Sequence, residues 1–571
     1  MKPDVSKLNV SLTNTIRDAM QRISNAAAAG LPSGLALVVG DDGVLMGLVT
    51  DGDVRRGLLA GLALDDLVER VAVRDPIVFS ASLSDRQVLE AIPRRLVEKG
   101  RYRGGVMEKV ILVDDRGRVE RVIDFLDLWR SQQMRHRHIN VVGLGYVGLT
   151  LAVTFADSGY KVTGIESNPQ ILSALRAGRP HIYEAGLEPL LRHQLGRNLA
   201  VCGDLSADAE VHVLAVATPI DENRVVSIEQ LLTAAEHVGR VLHYGDLVVM
   251  RSTVPVGTSR NRILPILEQQ SALKCGRDFS LAFAPERTVA GRALAELKSL
   301  PQVIGGFDQN AAELATSLFR EITPSIVGVG SLEEAEMVKL VNNSYRDLSF
   351  AFANEVSVIC EHFHMQTSRV LAAANDGYPR GHVPNPSPGV GGSCLKKDPY
   401  MFMEVAKAAG ISPCLSTVGR HINEMMPGKL VEKIVRALQR VGKTPEHSCF
   451  FLMGFAFKGE PETSDMRDST SLDVLQLLRP IAGEIRGYDP VVPRAELEAL
   501  GVKVCDRVEG FAGADCALIL NNHRSYVTLD IYACLATMKR PAIYCDTWGI
   551  LSPDDLGDIE DIACLGLSTA V

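Results

Sequence analysis

HINVVGLGYVGLTLAVTFADSGYKVTGIESN, residues 138–168, decides the fold. An apolar run is followed by a glycine turn, an amphipathic helical stretch and a second apolar run that ends in an acid. This is the opening of a doubly wound α/β domain. Gly143 permits a tight turn after the strand, Gly145 lets the backbone approach a pyrophosphate, and Gly148 lets helix and strand pack closely. Tyr146 and Val147 start the helix, whose N-terminus then faces the phosphates. Glu166 closes the second strand, where a carboxylate accepts hydrogen bonds from ribose hydroxyls and repels a 2′-phosphate, so the cofactor expected is NAD. A glycine turn in a non-binding domain would need neither that acid nor its spacing.

Strand and helix alternation continues through VHVLAVATP (211–219), DLVVMRST (246–253) and FSLAFAPE (279–286). From Ser331 to about His364 the helical period persists far beyond an ordinary helix. Its apolar stripe serves either self-association or intrachain core. After the Pro/Gly-rich loop at 377–392, alternation returns with FFLMGFAFKG (450–459), IRGYDPVV (485–492), CALILNNH (516–523) and AIYCDTWG (542–549). This second Rossmann-like lobe lacks a GxGxxG turn, so the dinucleotide belongs to the first lobe and another ligand to the second. The expected architecture is α/β: two Rossmann-like doubly wound lobes joined by a long central helix and preceded by a small α+β region. The segments are 1–134, 138–330, 331–430 with a cysteine loop, and 431–571, and the basic stretch 130–138 marks the first boundary.

A 571-residue chain with formal net charge −9 and no lysine or arginine run carries no electrostatic footprint for nucleic acid. Residues 1–20 lack the apolar core of a secretory signal, and no segment reaches the ~18 uninterrupted apolar residues of a membrane span. A cytoplasmic protein with no membrane contact is expected. Eleven cysteines without CxxC pairs argue against disulfides and a zinc site, so no metal is expected.

One cysteine stands apart. In GGSCLKKDP, Cys394 follows two glycines that permit close backbone approach, and Lys397 and Asp398 flank it. Nearby ammonium charge raises the thiolate fraction, and a thiolate adds to an aldehyde to give a thiohemiacetal that can surrender hydride.

GLGYVGL, TPIDEN, STVPVGT, APER, AEMVKLVNNSY, GVGGSCLKKD and GFAFKG occur in that order from residue 139 onward. Together they resemble the UDP-glucose/GDP-mannose dehydrogenase superfamily over about three quarters of the chain. That resemblance implies two successive NAD-dependent oxidations of a sugar CH₂OH to a carboxylate, with Cys394 carrying the covalent thiohemiacetal and thioester. Lys339 and Asn343, one helical turn apart, would hold the developing oxyanion, and Lys339 could act as acid or base. Asp398 and Thr253 would serve the catalytic water or the proton relay, and Glu286 the thioester hydrolysis. For Thr253 the alternative is a strand-end cap, and for Glu286 a solvated loop acid. Thr218 and Arg467 match cofactor contacts, Lys458 a ligand-phosphate contact, and Gly391 and the segment IYEAGLEPLL (182–191) the substrate neighbourhood.

The UDP-glucose branch usually carries PEF followed by a second acid, whereas this chain reads PERTVAG, with Arg287 after Glu286 and Ala290 in place of that acid. The PER form resembles the branch acting on UDP-N-acetylhexosamines, UDP-ManNAc or UDP-GlcNAc, and Arg287 would be a substrate contact. UDP-glucose is the alternative. A product destined for surface polysaccharide and a homodimer or higher oligomer are expected.

Before the boundary, residues 34–61 outline a strand, turn, strand and helix, and residues 108–129 repeat that outline with an offset. These resemble two CBS repeats. Gly47, Thr50 and Asp53 match a segment that binds an adenosine-type ribose and phosphate, so an adenine or other nucleotide is the expected partner. In the second repeat Arg121, Asp124 and Asp127 stand at those points, and only the last acid is kept. The pair would either tune the enzyme or be architectural. Two other readings of the whole chain are a two-electron β-hydroxyacid-type dehydrogenase, which would not require Cys394, and a catalytically silent nucleotide sensor.

Overall fold

The computed structural model describes residues 4–26, 31–83, 87–88, 91–92, 95–96, 109–125, 128, 137–221, 223–550 and 559–567. Most of the basic boundary stretch and Asp127 of the second repeat lie outside the described residues. The chain divides into two compact units, 1–136 and 137–571.

The smaller unit contains two sheets. Strands β1 (Asn9–Val10), β2 (Leu35–Val39), β3 (Leu45–Thr50) and β4 (Val73–Arg74) pair in that order, and β5 (Val78–Ser80), β6 (Lys109–Val113) and β7 (Val119–Asp124) form the other sheet. β2 with β3 and β6 with β7 are antiparallel hairpins, and each shows a register shift near its turn. Helices Ile16–Asn25 and Asp51–Leu59 both begin with a capping box.

The larger unit opens with an eight-stranded sheet. Its strands are β8 (His138–Val142), β9 (Lys161–Ile165), β10 (Leu199–Cys202), β11 (Val211–Leu214), β12 (Leu247–Met250), β13 (Ser280–Phe283), β14 (Gln302–Gly306) and β15 (Ile326–Val329). The order is β10-β9-β8-β11-β12-β13-β14-β15, parallel except where β14 runs against β13. Strands β8, β11, β12 and β13 are buried throughout, as expected of a sheet covered on both faces. The order reverses between β8 and β11, which opens a crevice at their C-terminal ends.

A second sheet of six parallel strands repeats that order: β16 (Cys449–Met453), β17 (Glu484–Tyr488), β18 (Lys503–Val504), β19 (Cys516–Ile519), β20 (Ala542–Asp546) and β21 (Ile562–Gly566), arranged β18-β17-β16-β19-β20-β21. Its switch point lies between β16 and β19.

Between the sheets run two long helices packed side by side in parallel, with Asp347 against Arg420, Asn354 against Asn423 and Glu361 against Lys433. Leu332–His362 spans 31 residues and is capped by Ser331, whose side chain accepts from the Glu334 amide. Its buried stripe includes Glu336, Lys339 and Asp347, charges that a helix facing the core tolerates only when they are paired. Glu336 accepts from the Gly257 and Ser259 amides at 2.5 and 2.9 Å, and Asp347 meets Arg420 at 2.6 Å. The partner helix, Cys414–Arg440, continues through Pro427, so the boundary expected at 430/431 falls inside it. Pro427 has no amide to offer the Asn423 carbonyl one turn back. Gly389 seats there so closely that a Cβ would lie 2.7 Å from that oxygen, which fixes the loop leading to Cys394.

No helix among the described residues is long and apolar enough to cross a membrane, and none of their His, Cys, Asp and Glu side chains form a group that could hold a metal ion.

Candidate active site

At the first switch point Gly143 adopts φ +89°, and a Cβ on Gly148 would lie 1.8 Å from the Gly143 carbonyl. The helix Tyr146–Asp157 therefore starts against the turn itself, with Gly145 as its cap and open space beside it. Leu149 is the residue whose amide bonds back to Gly145, so the preceding amides at Tyr146, Val147 and Gly148 are oriented for an anion. Glu166 at the end of β9 accepts from the Leu144 amide at 3.3 Å and the Asn168 amide at 2.8 Å, which holds its carboxylate over the turn. A tight turn, an open Gly145 and a fixed acid fit an adenine dinucleotide.

The cysteine turn follows. Cys394 is exposed, its carbonyl accepts from the Lys397 and Asp398 amides, and Asp398 opens the helix Asp398–Ala408. Asp398 is fully buried, yet one carboxylate oxygen accepts from Asn343 Nδ2 at 2.6 Å. That bond ties the cysteine turn to the long helix, where Lys339 lies one turn before Asn343. Lys397 Nζ reaches 3.4 Å from Asp398 and donates to Thr218 Oγ1 at 3.1 Å, and Thr218 donates to the Thr253 carbonyl at 2.7 Å. Thr218 and Thr253 are thus linked to the cysteine turn through Lys397, whose ammonium is directed at the cofactor crevice. Gly391 seats against the start of helix Thr470–Leu478, where a Cβ would lie 3.0 Å from the Asp468 carbonyl.

Glu286 leaves the end of β13 and is buried rather than solvated. Its Oε2 meets Arg251 Nη2 at 2.6 Å, and its Oε1 accepts from the Thr288 amide at 2.7 Å. Burial pushes this carboxyl up, but Arg251, Thr288 and the nearby Lys339 ammonium outweigh burial and hold it below its ordinary value. Arg287 lies beside it, with Nη2 donating to the Pro301 carbonyl at 2.6 Å, so that nitrogen is already taken by backbone.

Loops of the two sheets interlock. Tyr146 donates to Glu184 in the 182–191 segment, and the Gly291 amide donates to both the tyrosine oxygen and the Glu184 carboxylate, each at 2.8 Å. Burial, reinforced by Glu184, raises the Tyr146 phenol far above its ordinary value. Lys458, beyond β16, donates to the Ala290 carbonyl, and Arg292 pairs with Glu460 at 2.9 Å. Burial, with a further contribution from Arg346, lowers the Lys458 ammonium to about 8. Arg467 makes a bidentate pair with Asp465 at 2.9 and 2.7 Å. The hydrogen bond to Asp465 raises its pKa against burial, and the Cys394 sulfur is close enough to add to the rise.

In the smaller unit Thr50 caps helix Asp51–Leu59 and Asp53 accepts from the Thr50 amide and hydroxyl at 2.9 and 2.6 Å. Asp53 also pairs with Arg56 at 2.5 Å, and the Thr–Asp pair forms a capping box. A Cβ at Gly47 would lie 2.8 Å from the Val73 carbonyl, and Asp124 of the second repeat pairs with Lys109 at 2.5 Å.

Hydrogen bonds thus link the Cys394 turn through Asp398 to Asn343 and through Lys397 to Thr218 and Thr253, Lys339 acts electrostatically on Glu286, and from the second sheet Lys458 reaches Ala290 and Arg467 lies near Cys394. Sequence reasoning missed Arg251, Gln302 and the roles of Tyr146 and Glu184. An arginine directly after a fully apolar strand, as in VVMRST, is the one signal that pointed to Arg251.

Three consecutive stretches of the chain match models of one family. They are described as the UDP-glucose/GDP-mannose dehydrogenase family, NAD binding domain (residues 137–323), central domain (333–425) and UDP binding domain (451–553). A UDP-N-acetyl-D-mannosamine dehydrogenase of Pyrococcus horikoshii is 32% identical over 424 residues, covering 74% of this chain and 97% of that protein. The solved structure of the UDP-D-ManNAc dehydrogenase from Pyrococcus horikoshii gives a TM-score of 0.68 at 29% identity, covering 76% of this chain and 99% of that one. A UDP-glucose dehydrogenase from the hyperthermophilic archaeon Pyrobaculum islandicum gives 0.67 at 29% identity, covering 76% and 98%.

Proposed function

The chain belongs to the UDP-glucose/GDP-mannose dehydrogenase family and is an NAD-dependent nucleotide-sugar dehydrogenase, and from this we propose that it oxidises the C6 alcohol of a UDP-N-acetylhexosamine to the uronic acid. The substrate is UDP-ManNAc or UDP-GlcNAc. The observation that carries this reading is the Asn343–Asp398 bond, which ties the Cys394 turn to the helix bearing Lys339 beside the cofactor crevice. Sequence similarity to the mannosamine enzyme and the PER form of the Glu286 loop support the acetamido sugar.

NAD, when bound, accepts the hydride of each oxidation. In the first, a C6 hydroxyl proton passes to a base of the Lys339–Asn343–Asp398 group as the aldehyde forms. The Cys394 thiolate then adds to the aldehyde carbon, and Lys339 and Asn343 stabilise the oxyanion. Loss of the second hydride leaves a thioester on Cys394. Water adds to its carbonyl, the C–S bond breaks, and the carboxylate leaves with the thiol restored. One sugar therefore consumes two NAD and one water. Lys458 and Arg467 supply cationic contacts to the diphosphate and cofactor.

The long helix exposes Val341, Tyr345, Phe352, Ile359 and Phe363 on one face, beside Leu415 and Val418 of its neighbour. Exposed apolar side chains repeated along one helix face support a homodimer. The smaller unit is assigned as a CBS pair that takes a nucleotide and tunes the enzyme, supported by its two strand hairpins. Because Thr50 and Asp53 cap a helix, a nucleotide there has to compete with those bonds. The enzyme acts in the cytoplasm, and its product feeds surface polysaccharide.

Parallel assays with UDP-ManNAc, UDP-GlcNAc and UDP-glucose test the substrate. Faster turnover of an acetamido sugar supports the reading, and turnover of UDP-glucose alone rejects it. No turnover with any sugar, alongside nucleotide binding to the smaller unit, would favour a silent sensor.

A further inference from the structure

We propose that Arg251 is a positioning residue that locks Glu286 as a fixed anion near Lys339, so that Glu286 orients water and ammonium instead of taking up a proton. This rests on the reading of Glu286 as a participant in thioester hydrolysis. Arg251 directly follows β12 and is 1% exposed, among the largest fully buried side chains of the protein. Its guanidinium lies along the end of β13, where Nη1 donates to the Ala284 carbonyl at 2.9 Å and the Pro285 carbonyl at 3.3 Å. Nη1 also donates to Gln302 Oε1 at 2.7 Å, and Gln302 Nε2 donates back to Pro285 at 3.1 Å. Nη2 takes Glu286 Oε2 at 2.6 Å, and Phe319 lies against the guanidinium, its ring centroid 5.3 Å from Cζ.

The arrangement fixes both the position and the charge state of the carboxylate. Two carbonyls of the loop and one carboxylate oxygen are bound to one planar, always charged group, and the Thr288 amide holds the remaining oxygen. Arg251 from the end of β12 contacts Glu286, and Lys339 from the long helix and Tyr146 from the helix after the glycine turn lie close enough to couple to it electrostatically. One cation, Arg251, is paired with the carboxylate and the Lys339 ammonium adds to the field that holds it ionised, while the Tyr146 phenol is kept neutral by burial and by Glu184. A carboxylate in that field is a weak proton acceptor but a strong orienting charge. Lysine at 251 would keep the charge without the fork, and glutamine would keep neither.

The experiment uses the full chain with NAD and UDP-ManNAc. Single turnovers are quenched in acid, and Cys394-bound thioester is read by intact mass, beside the pH profile of steady-state acid formation. Arg251→Gln is expected to accumulate thioester, lower steady-state acid formation by on the order of tenfold to a hundredfold, and move the acid limb of the profile toward neutral pH. Arg251→Lys should restore the wild-type limb while recovering only part of the rate. An Arg251→Gln enzyme that folds, accumulates no thioester and keeps the wild-type profile would overturn the inference. If that variant does not fold, the wild-type profile decides, because an acid limb that Glu286→Gln abolishes would show Glu286 titrating and defeat the proposal. Normal acid formation by Glu286→Gln would instead remove the underlying reading of Glu286, and the inference with it.

Discussion

Asn343, on the helix Leu332–His362, donates a 2.6 Å hydrogen bond to Asp398, four residues beyond Cys394 in the turn that bears the thiol. Asp398 is fully buried, and it opens its own helix. Such a bond sets the distance between oxyanion donors and nucleophile, a quantity on which a covalent mechanism depends steeply. Asn343→Ala should lower kcat by about a hundredfold, comparable to loss of one oxyanion donor. Steady-state kinetics check this, and KM for NAD should stay within a few-fold of wild type.

Cys394→Ser and Cys394→Ala are expected to stop acid formation, a loss on the order of a thousandfold or more, while NAD still binds. Calorimetric titration with NAD and product analysis separate the two effects. Near-normal acid formation by either variant would exclude the covalent route.

Gly148→Ala places a methyl 1.8 Å from the Gly143 carbonyl. The glycine turn has to open, so NAD affinity should fall by at least tenfold, whereas binding of UDP alone to the second sheet should be unchanged. Equal loss of both ligands would mean that the whole larger unit had been disrupted.

Burial lowers the Lys458 ammonium to about 8 in the free protein. Below that pH the side chain is charged and attracts a diphosphate, and above it the charge is lost. kcat/KM for the UDP-sugar should therefore fall as pH rises through about 8, a profile that reports the free enzyme. Lys458→Arg stays charged and should flatten that limb, and an unchanged limb would place its origin elsewhere.

Tyr345 is 72% exposed and Leu415 76%. Charged replacements at both, Tyr345→Glu with Leu415→Glu, should convert a dimer to a monomer in sedimentation. A wild-type protein that already sediments as a monomer would reject the dimer directly.

The first sheet and the long helix were legible because their signals are local. A glycine turn between two apolar runs and a helical period of some thirty residues need no distant partner to be read. The cysteine turn was legible from its motif. Arg251 was not, since its partners Glu286 and Gln302 lie 35 and 51 residues away and the antiparallel β14 brings Gln302 beside it. Tyr146 read only as part of a glycine turn, and its partner Glu184 is 38 residues distant. Pro427 was not read at all, yet it lies inside the helix Cys414–Arg440, and the Gly389 loop packs against the carbonyl that the proline leaves without a donor. In the first unit Thr50 and Asp53 read as ligand contacts, and the same Thr with an Asp three residues on also forms a capping box.

The most direct test is the number of NADH molecules formed per molecule of limiting UDP-ManNAc. The account predicts two, with UDP-N-acetylmannosaminuronic acid as product and no free aldehyde. One NADH per sugar, with the aldehyde released, would contradict it and leave an ordinary two-electron alcohol dehydrogenase.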